Sequence, residues 1–394
     1  MMTEFLQITD DPRITDGSQW VEVVSAISDL QKLVYDDPRV DTPILRAEGL
    51  RYLTRLLTGG IPMTLEAWDF DYPSLFKFIS PHMQFGLVAA DCCYNWAAVH
   101  GDGVYRLKGR RGTCRIFDVE TRSGHIANLG QWTLHDRGSD FTTGPDGEIE
   151  VVLSATEQPG NWIRIPEGPG TVIVRQYYYD WLTEEPAVLS IERDGVRYPP
   201  PPLTPTDMSQ RLDLLVAWIR TLGFAMQVST AEHYAADPGA LAFTPIDYAW
   251  ADILYGKGHY RCGPDEAVLL EVTPPQAQYW NIQLTSHYLE GLDFHLRQTS
   301  INGHQAVIDD DGVFRAVISH TDPGVPNWLD AGGHVAGLVT ARYYLGESTP
   351  VPTLRTIPLS SVRDELPAST PEVTDEQRQD ALRARHRSII RRGI

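Results

Sequence analysis

Residues 1–60 carry apolar side chains at helical spacing. Trp20, Val23, Val24, Ile27, Leu30 and Val34 recur every three or four positions, which predicts a helix with this face buried. Thr42-Pro43 supplies an N-cap followed by a first-turn proline. A second helix therefore starts there, carries Leu45, Leu50, Leu53 and Leu56, and is expected to stop at Gly59-Gly60. From residue 70 onward the period shortens. Runs at 103–107, 114–119, 148–153 and 171–177 are rich in Val, Ile, Tyr and Phe and are separated by Gly, Asp and Pro, the pattern of short strands in a sandwich. Asp146-Gly147 marks a hairpin turn between two of them.

The prolines at 199–202 form a stiff connector. The helix after it is capped by Thr206 or Asp207, buries Leu212, Leu215, Val216 and Ile219, and is expected to end at Gly223. A second β-rich stretch starts near Ile246, with strands at 268–272, 279–284 and 313–318 and a turn at Asp309-Asp310-Asp311-Gly312. Residues 348–374, rich in Pro, Ser and Thr, look extended and wrapping. Residues 375–392 combine helix formers with many arginines. They form either a helix that packs Ala381, Leu382, Ile389 and Ile390 or a solvated tail.

The two β-rich stretches repeat one another. Asn161-Trp162 followed by Arg175-Gln176-Tyr177 returns as Asn327-Trp328 followed by Arg342-Tyr343-Tyr344, and Asp146-Gly147 before Ser154 returns as Asp311-Gly312 before Ser319. These landmarks keep their order at a spacing of about 165 residues, as duplicated halves would. Gly101-x-Gly103-x-Tyr105-Arg106 and Gly256-x-Gly258-x-Tyr260-Arg261 extend the match upstream. The expected fold class is mainly β with helices (α+β): two tandem, homologous, jelly-roll-like β-sandwich units, an N-terminal helical segment and a linker helix. The boundaries fall at 1–69, 70–198, 199–244, 245–347 and 348–394.

Composition narrows the partners. Of 394 residues, 42% are hydrophobic, enough for a real core, and the formal net charge is −19, which disfavours nucleic acid and anionic membranes. The start, Met1-Met2-Thr3-Glu4-Phe5, lacks the pattern of a secretory signal, and no stretch reads as a membrane span. Four cysteines with no C-x-x-C pair give neither a disulfide framework nor a thiolate zinc site, so a cytoplasmic location is expected. Neither a cofactor nor a metal is expected, since Walker, dinucleotide and nucleophile-elbow motifs are all missing.

The run 279–284, the stretch Leu292-Asp293-Phe294, then Arg297, Ser300 and Asn302, and finally 322–330 with Gly333-His334 resemble the bacterial family known as domain of unknown function 1214, which often occurs beside domain of unknown function 1254. The resemblance covers roughly residues 245–345 and implies a largely β, sandwich-like region. It implies no mechanism and no site residues.

The repeat sorts the candidate residues. Side chains present twice are expected to do one structural job twice, with Arg175 and Arg342 stacking on the neighbouring indoles. Side chains present once are freer for chemistry. Asp330 and His334 occur only in the second copy, and a carboxylate orienting a histidine is the minimum general-base device. They are therefore the expected catalytic pair of a hydrolase or lyase acting on a small, oxygenated, partly apolar metabolite. Asn327, Trp328, Arg342, Tyr344 and His320 are the expected substrate-binding set. His334→Ala should then abolish turnover and leave the melting temperature nearly unchanged. His287, Asp293 and His295 are a weaker metal triad, because Gly291 interrupts their strand. The alternatives are a non-catalytic carbohydrate- or metabolite-binding sandwich, or an acidic scaffold for a basic partner. An oligomer is compatible with each.

Overall fold

A computed structural model describes residues 10–244 and 252–393. The start of the second repeat near Ile246 and the residues Met1 to Phe5 lie outside this range. The chain divides into two units. The first comprises residues 1–83, 93–176 and 186–225, and the second comprises 84–92, 177–185 and 226–394.

The helices are α1 (Pro12–Asp16), α2 (Ser18–Asp29), α3 (Lys32–Tyr35), α4 (Pro43–Ile61), α5 (Pro205–Ala235), α6 (Val362–Glu365) and α7 (Asp375–Arg391). In the first repeat the strands are β1 (Phe76–Ile79), β2 (Cys92–His100), β3 (Val104–Arg110), β4 (Ile116–Ser123), β5 (Leu134–Gly138), β6 (Glu148–Ser154), β7 (Trp162–Arg164), β8 (Pro169–Tyr177) and β9 (Val188–Arg193). In the second they are β10 (Ala242–Thr244), β11 (Ile253–Arg261), β12 (Glu266–Val272), β13 (Ala277–Thr285), β14 (Ser300–Asn302), β15 (Phe314–Ser319), β16 (Trp328–Asp330), β17 (Ala336–Gly346) and β18 (Thr353–Pro358).

The sheets confirm the duplication strand for strand. The five-stranded order β1-β2-β8-β4-β5 matches β10-β11-β17-β13-β14, and the four-stranded order β7-β6-β3-β9 matches β16-β15-β12-β18. The fold is α+β with a sheet pair in each unit. In the second unit one core draws on both sheets. Leu270, Phe314 and Ile318 from one meet Trp280, Ile282, Val339 and Tyr343 from the other. Each such side chain contributes about 1.5–3 kcal/mol on burial. Hairpin geometry repeats too. Gly147 and Gly312 sit at φ +74° and +81°, where a side chain would be strained. The N–H of Gly147 donates to Gly144 O at 3.0 Å, and that of Gly312 donates to Asp309 O at 2.8 Å.

Several expectations change. Gly256 to Arg261 lie inside β11, whose counterpart is β2, whereas Gly101 and Gly103 lie at the turn before β3. That upstream landmark therefore matches letters, not places. Helix α2 buries Gln19, Val23 and Ala26 and leaves Trp20 62% exposed, with Val24 and Ile27 also outside. Gln19 explains the rotation: its Nε2 donates to Asp213 at 2.8 Å and its Oε1 accepts from Ser209 at 3.1 Å. Helix α4 runs one residue past Gly59-Gly60 and continues into a π turn, Pro62–Glu66. Its Gly60 is where the Trp218 ring lies closest, so that a Cβ there would sit 2.5 Å from the indole.

Helix α5 is capped by Thr204, whose Oγ1 accepts from the Asp207 N–H at 3.1 Å, rather than by Thr206 or Asp207. It passes straight through Gly223, which lets the side chains of Leu30, Leu33 and Leu56 approach closely. Its full length makes it the one described helix long and apolar enough to cross a membrane by length and composition, which the sequence reading missed. Half of that window is buried within the protein. The 353–358 part of the expected wrapping segment is strand β18.

The C-terminal helix forms, but on a different face. Ala381 and Ile390 point outward, while Arg378, Arg385, Ser388 and Ile389 are buried. Arg378, Arg385 and Arg392 recur every seventh residue and so share one side of the helix. Their guanidinium groups stack on Trp328 at 5.2 Å, on Trp181 at 4.3 Å, and on Trp181 and Tyr178 at 4.3 and 4.8 Å. Cation–π stacking and hydrogen bonds anchor this helix more than apolar burial does.

Candidate functional site

The outer face of the β10–β14 sheet, turned away from the core of the second unit, is buried and polar. Side chains alternate along a strand, so core residues Trp280, Ile282 and Leu284 place Tyr279, Asn281, Gln283 and Thr285 on this outer face. Register sets Asn281 opposite Arg342, Gln283 opposite Thr340, and Tyr255 and Lys257 opposite Arg342 and Thr340 on the other side. The result is a contiguous polar patch with two cations.

Asp91 is the hub of this face. It is fully buried and accepts from Trp181 Nε1 at 2.7 Å, Tyr279 Oη at 2.7 Å, Asn281 Nδ2 at 2.9 Å and Asn302 Nδ2 at 2.7 Å. Four donors on one carboxylate satisfy it completely. Burial disfavours the charged form of the nearby Arg385, and the Asp91 charge favours it. Gln283 clamps the same segment, donating to Val88 O at 2.8 Å and accepting from the Ala90 N–H at 3.0 Å. Sequence reading missed Asp91 because it precedes β2, far along the chain from the strand whose side chains it binds.

Not every group here is satisfied. Arg342 is 1% exposed, and its Nη2 donates to the carbonyls of Leu87 and Val88 at 2.7 and 3.2 Å. Its Nη1 has no hydrogen-bond partner among the described residues, nor do Asn281 Oδ1 and Thr285 Oγ1. Such atoms cost free energy unless something outside the protein meets them. On the same face, His233 is neutral: burial depresses its pKa to about 4, with Lys257 and Arg342 acting in the same direction. Its Nδ1 donates to Ser229 O at 2.8 Å, leaving Nε2 to accept from Thr340 Oγ1 at 3.4 Å.

The expected Asp330–His334 pair is not assembled. The Asp330 carboxylate takes Arg297 Nη1 at 2.6 Å and the Gly332 N–H at 2.8 Å, while His334, 4% exposed, directs its Nδ1 to Ala331 O at 3.0 Å. A buried ring so bonded also makes the neutral outcome expected of His334→Ala untenable. His320 donates from Nε2 to Cys262 O at 2.9 Å.

Asn327 and Trp328 have the same bonds as their duplicates. Asn327 joins Val307 and Arg315 carbonyls at 2.6 and 2.9 Å, as Asn161 joins Thr142 and Glu150 at 2.8 and 3.0 Å. Trp328 and Trp162 each donate to a serine carbonyl at 3.2 Å. The cations over these indoles are Arg378 and Arg164, not Arg342 and Arg175. Tyr344 is buried with its ring 6.2 Å from Tyr177. Of the expected binding set, therefore, Arg342 and Tyr344 lie on the polar sheet face. No group of metal-ligating side chains forms among the described residues, at His287, Asp293 and His295 or elsewhere.

A separate cleft of 320 Å³ in the second unit is lined by His259, Tyr260, Arg261 and Arg355. Arg355 there already pairs with Glu365 at 2.7 Å, so its charge is spent within the protein.

Comparison with known proteins fits this picture. Residues 265–348 match the family model DUF1214, protein of unknown function. The matched region runs from β12 into β17 and includes Asn281 and Arg342. The crystal structure of an uncharacterised protein from Burkholderia cenocepacia is similar over 89% of this chain and 99% of that one, with 28% identity and a TM-score of 0.84. The VPA0106 protein from Vibrio parahaemolyticus aligns over 84% of this chain and all of that one, at 11% identity and a TM-score of 0.46. No curated protein matches. The first of these likenesses supports the fold along most of the chain.

Proposed function

We propose that the second unit binds a small, oxygenated, partly apolar metabolite on the outer face of its five-stranded sheet. One observation carries the reading: Arg342 Nη1, Asn281 Oδ1 and Thr285 Oγ1 are buried on a single face with no hydrogen-bond partner among the described residues. Two acceptors and a charged donor suit a ligand that both donates and accepts hydrogen bonds. Tyr255 and Tyr279, on the same face, supply apolar wall. Asp91 and Gln283 hold the surface rigid and are positioning residues.

Acid–base chemistry is the second reading, and it moves from His334 to His233. A neutral imidazole with Nε2 aimed at a threonine hydroxyl can take a proton, although a pKa near 4 makes it a weak base. The two readings part on the fate of the ligand. A thermal-shift screen against hydroxy acids, keto acids, amides and sugars should find a compound that raises the melting temperature by about 2–4 °C. Asn281→Leu should remove that shift. Recovery of the compound unchanged supports binding, and a product supports turnover. A screen in which no oxygenated compound stabilises the protein would remove the proposal.

A further inference from the structure

The two copies of the sheet differ at the spot that matters. Strands β4 and β8 of the first unit correspond to β13 and β17 of the second, and Arg175 corresponds to Arg342. In the first unit Arg175 faces Glu120: Nη1 lies 2.5 Å from the carboxylate, and Arg122 Nε holds the other oxygen at 2.8 Å. In the second unit the residue directly across from Arg342 is Asn281. The amide turns its Nδ2 to Asp91 and supplies no charge to Arg342. Arg342 makes no ion pair among the described residues, and its only acceptors are the two backbone carbonyls. A buried guanidinium without a carboxylate is costly, and the first unit shows what the site is shaped to hold.

Resting on the binding reading above, we propose that the ligand of the second unit is a carboxylic acid. Its carboxylate takes the place that Glu120 fills in the first unit, accepting from Arg342 Nη1. A neighbouring hydroxyl or amide N–H of the same molecule donates to Asn281 Oδ1. Lys257, 4% exposed on the same face, is paired with Glu232, so its charge is already met.

The test uses matched probes on the full chain: lactate against lactamide, benzoate against benzamide, and inorganic phosphate. At least one acid should stabilise the protein in a saturable way while its amide is at least tenfold weaker. Asn281→Glu installs a carboxylate across from Arg342 and should abolish the acid response, with some loss of melting temperature because it removes one donor to Asp91. Arg342→Gln should also lose it, and a folded Asn281→Glu protein keeps the test valid if Arg342→Gln fails to fold. Amides binding as tightly as acids would overturn the carboxylate assignment and leave the binding reading standing. A response to phosphate alone, or acid binding undiminished in Asn281→Glu, would do the same. Silence from acids, amides and phosphate alike would overturn the carboxylate assignment, and silence from sugars as well would overturn the binding reading.

Discussion

Arg175 and Arg342 stand at the same position in two copies of one sheet, and both are mostly buried. Arg175 pairs with a carboxylate inside its own unit: burial alone would raise the Glu120 carboxyl, but Arg175 and Arg122 overcome it and hold it below its usual range. Among the described residues Arg342 has two backbone carbonyls and the Tyr255 ring, 5.8 Å from its guanidinium, and no carboxylate. The duplicated frame thus sets a paired and an unpaired buried arginine side by side. Where the carboxylate stayed, the face is closed by protein. Where Asn281 stands across from the arginine, the same frame leaves Arg342 without a carboxylate among the described residues. Differences between copies are more informative than similarities, since shared groups such as Asn161 and Asn327 explain only the common scaffold.

The comparison breaks most visibly at Glu120. Glu120→Gln leaves two buried guanidinium groups facing a neutral amide and should cost about 3–5 kcal/mol, the usual penalty for breaking a buried pair. Asn281→Leu should cost less, because it removes one of the four donors to the Asp91 carboxylate but leaves no guanidinium stripped of a carboxylate. Urea denaturation of both variants measures the contrast, and equal midpoint shifts would show that the two positions are not counterparts in charge. Asp91→Asn comes next. It exchanges a carboxylate with four donors for an amide that cannot accept from all of them, for a loss of about 2–3 kcal/mol.

Acid sharpens the comparison because each unit contains a buried histidine whose pKa burial depresses. Burial depresses His125 in the first unit to about 3, opposed by its bond to Met63 O, and depresses His233 in the second to about 4. Both folded values lie below the ordinary 6.5 of the unfolded chain, so the unfolded state binds the proton first. Stability is therefore intact above about pH 6.5 and falls as pH drops toward those lower values. Between pH 6.5 and pH 5 each histidine should cost about 2 kcal/mol. His125→Phe and His233→Phe should each flatten the acid limb of a stability–pH curve. A limb unchanged by both would mean that carboxylate titration dominates there.

How much of this was legible beforehand follows from what each residue reports locally. The strands, the Asp-Gly hairpins and the Asn-Trp corners repeat in the letters because each depends on near neighbours. The helix faces were misread where a polar residue found a distant partner. Gln19 turned α2 by meeting Asp213, and α7 exchanged its expected apolar stripe for Arg378, Arg385 and Arg392 because Trp328, Trp181 and Tyr178 lay waiting for them. The arginine period of seven was visible in the sequence, but it reads as a solvated face unless buried aromatics are known to oppose it. Arg342 was singled out correctly as a matched residue. That it faces an amide where Arg175 faces a carboxylate could not be read without the register placing Asn281 across from it, and Asp91 carried no local signal at all. The Asp330–His334 proximity was real in sequence, but Arg297, more than thirty residues earlier, claims the carboxylate.

The smallest expected effect separates scaffold from site. Asn161 and Asn327 each donate to two carbonyls and accept one backbone N–H, from Thr142 and Val307 at 2.9 and 3.0 Å. Replacing either with alanine strands those partners, at about 1–2 kcal/mol. Asn327 is the more buried of the two, so its loss should lie at the upper end, because water cannot reach the abandoned carbonyls as readily. Neither change touches the outer face of the β10–β14 sheet. Asn327→Ala should therefore lower the melting temperature yet leave ligand affinity within about twofold once the variant is folded. If it abolishes ligand binding while Asn161→Ala costs the same stability, the corner loop of the second unit holds ligand after all. The functional divergence of the two copies would then begin at Asn327 rather than at Asn281.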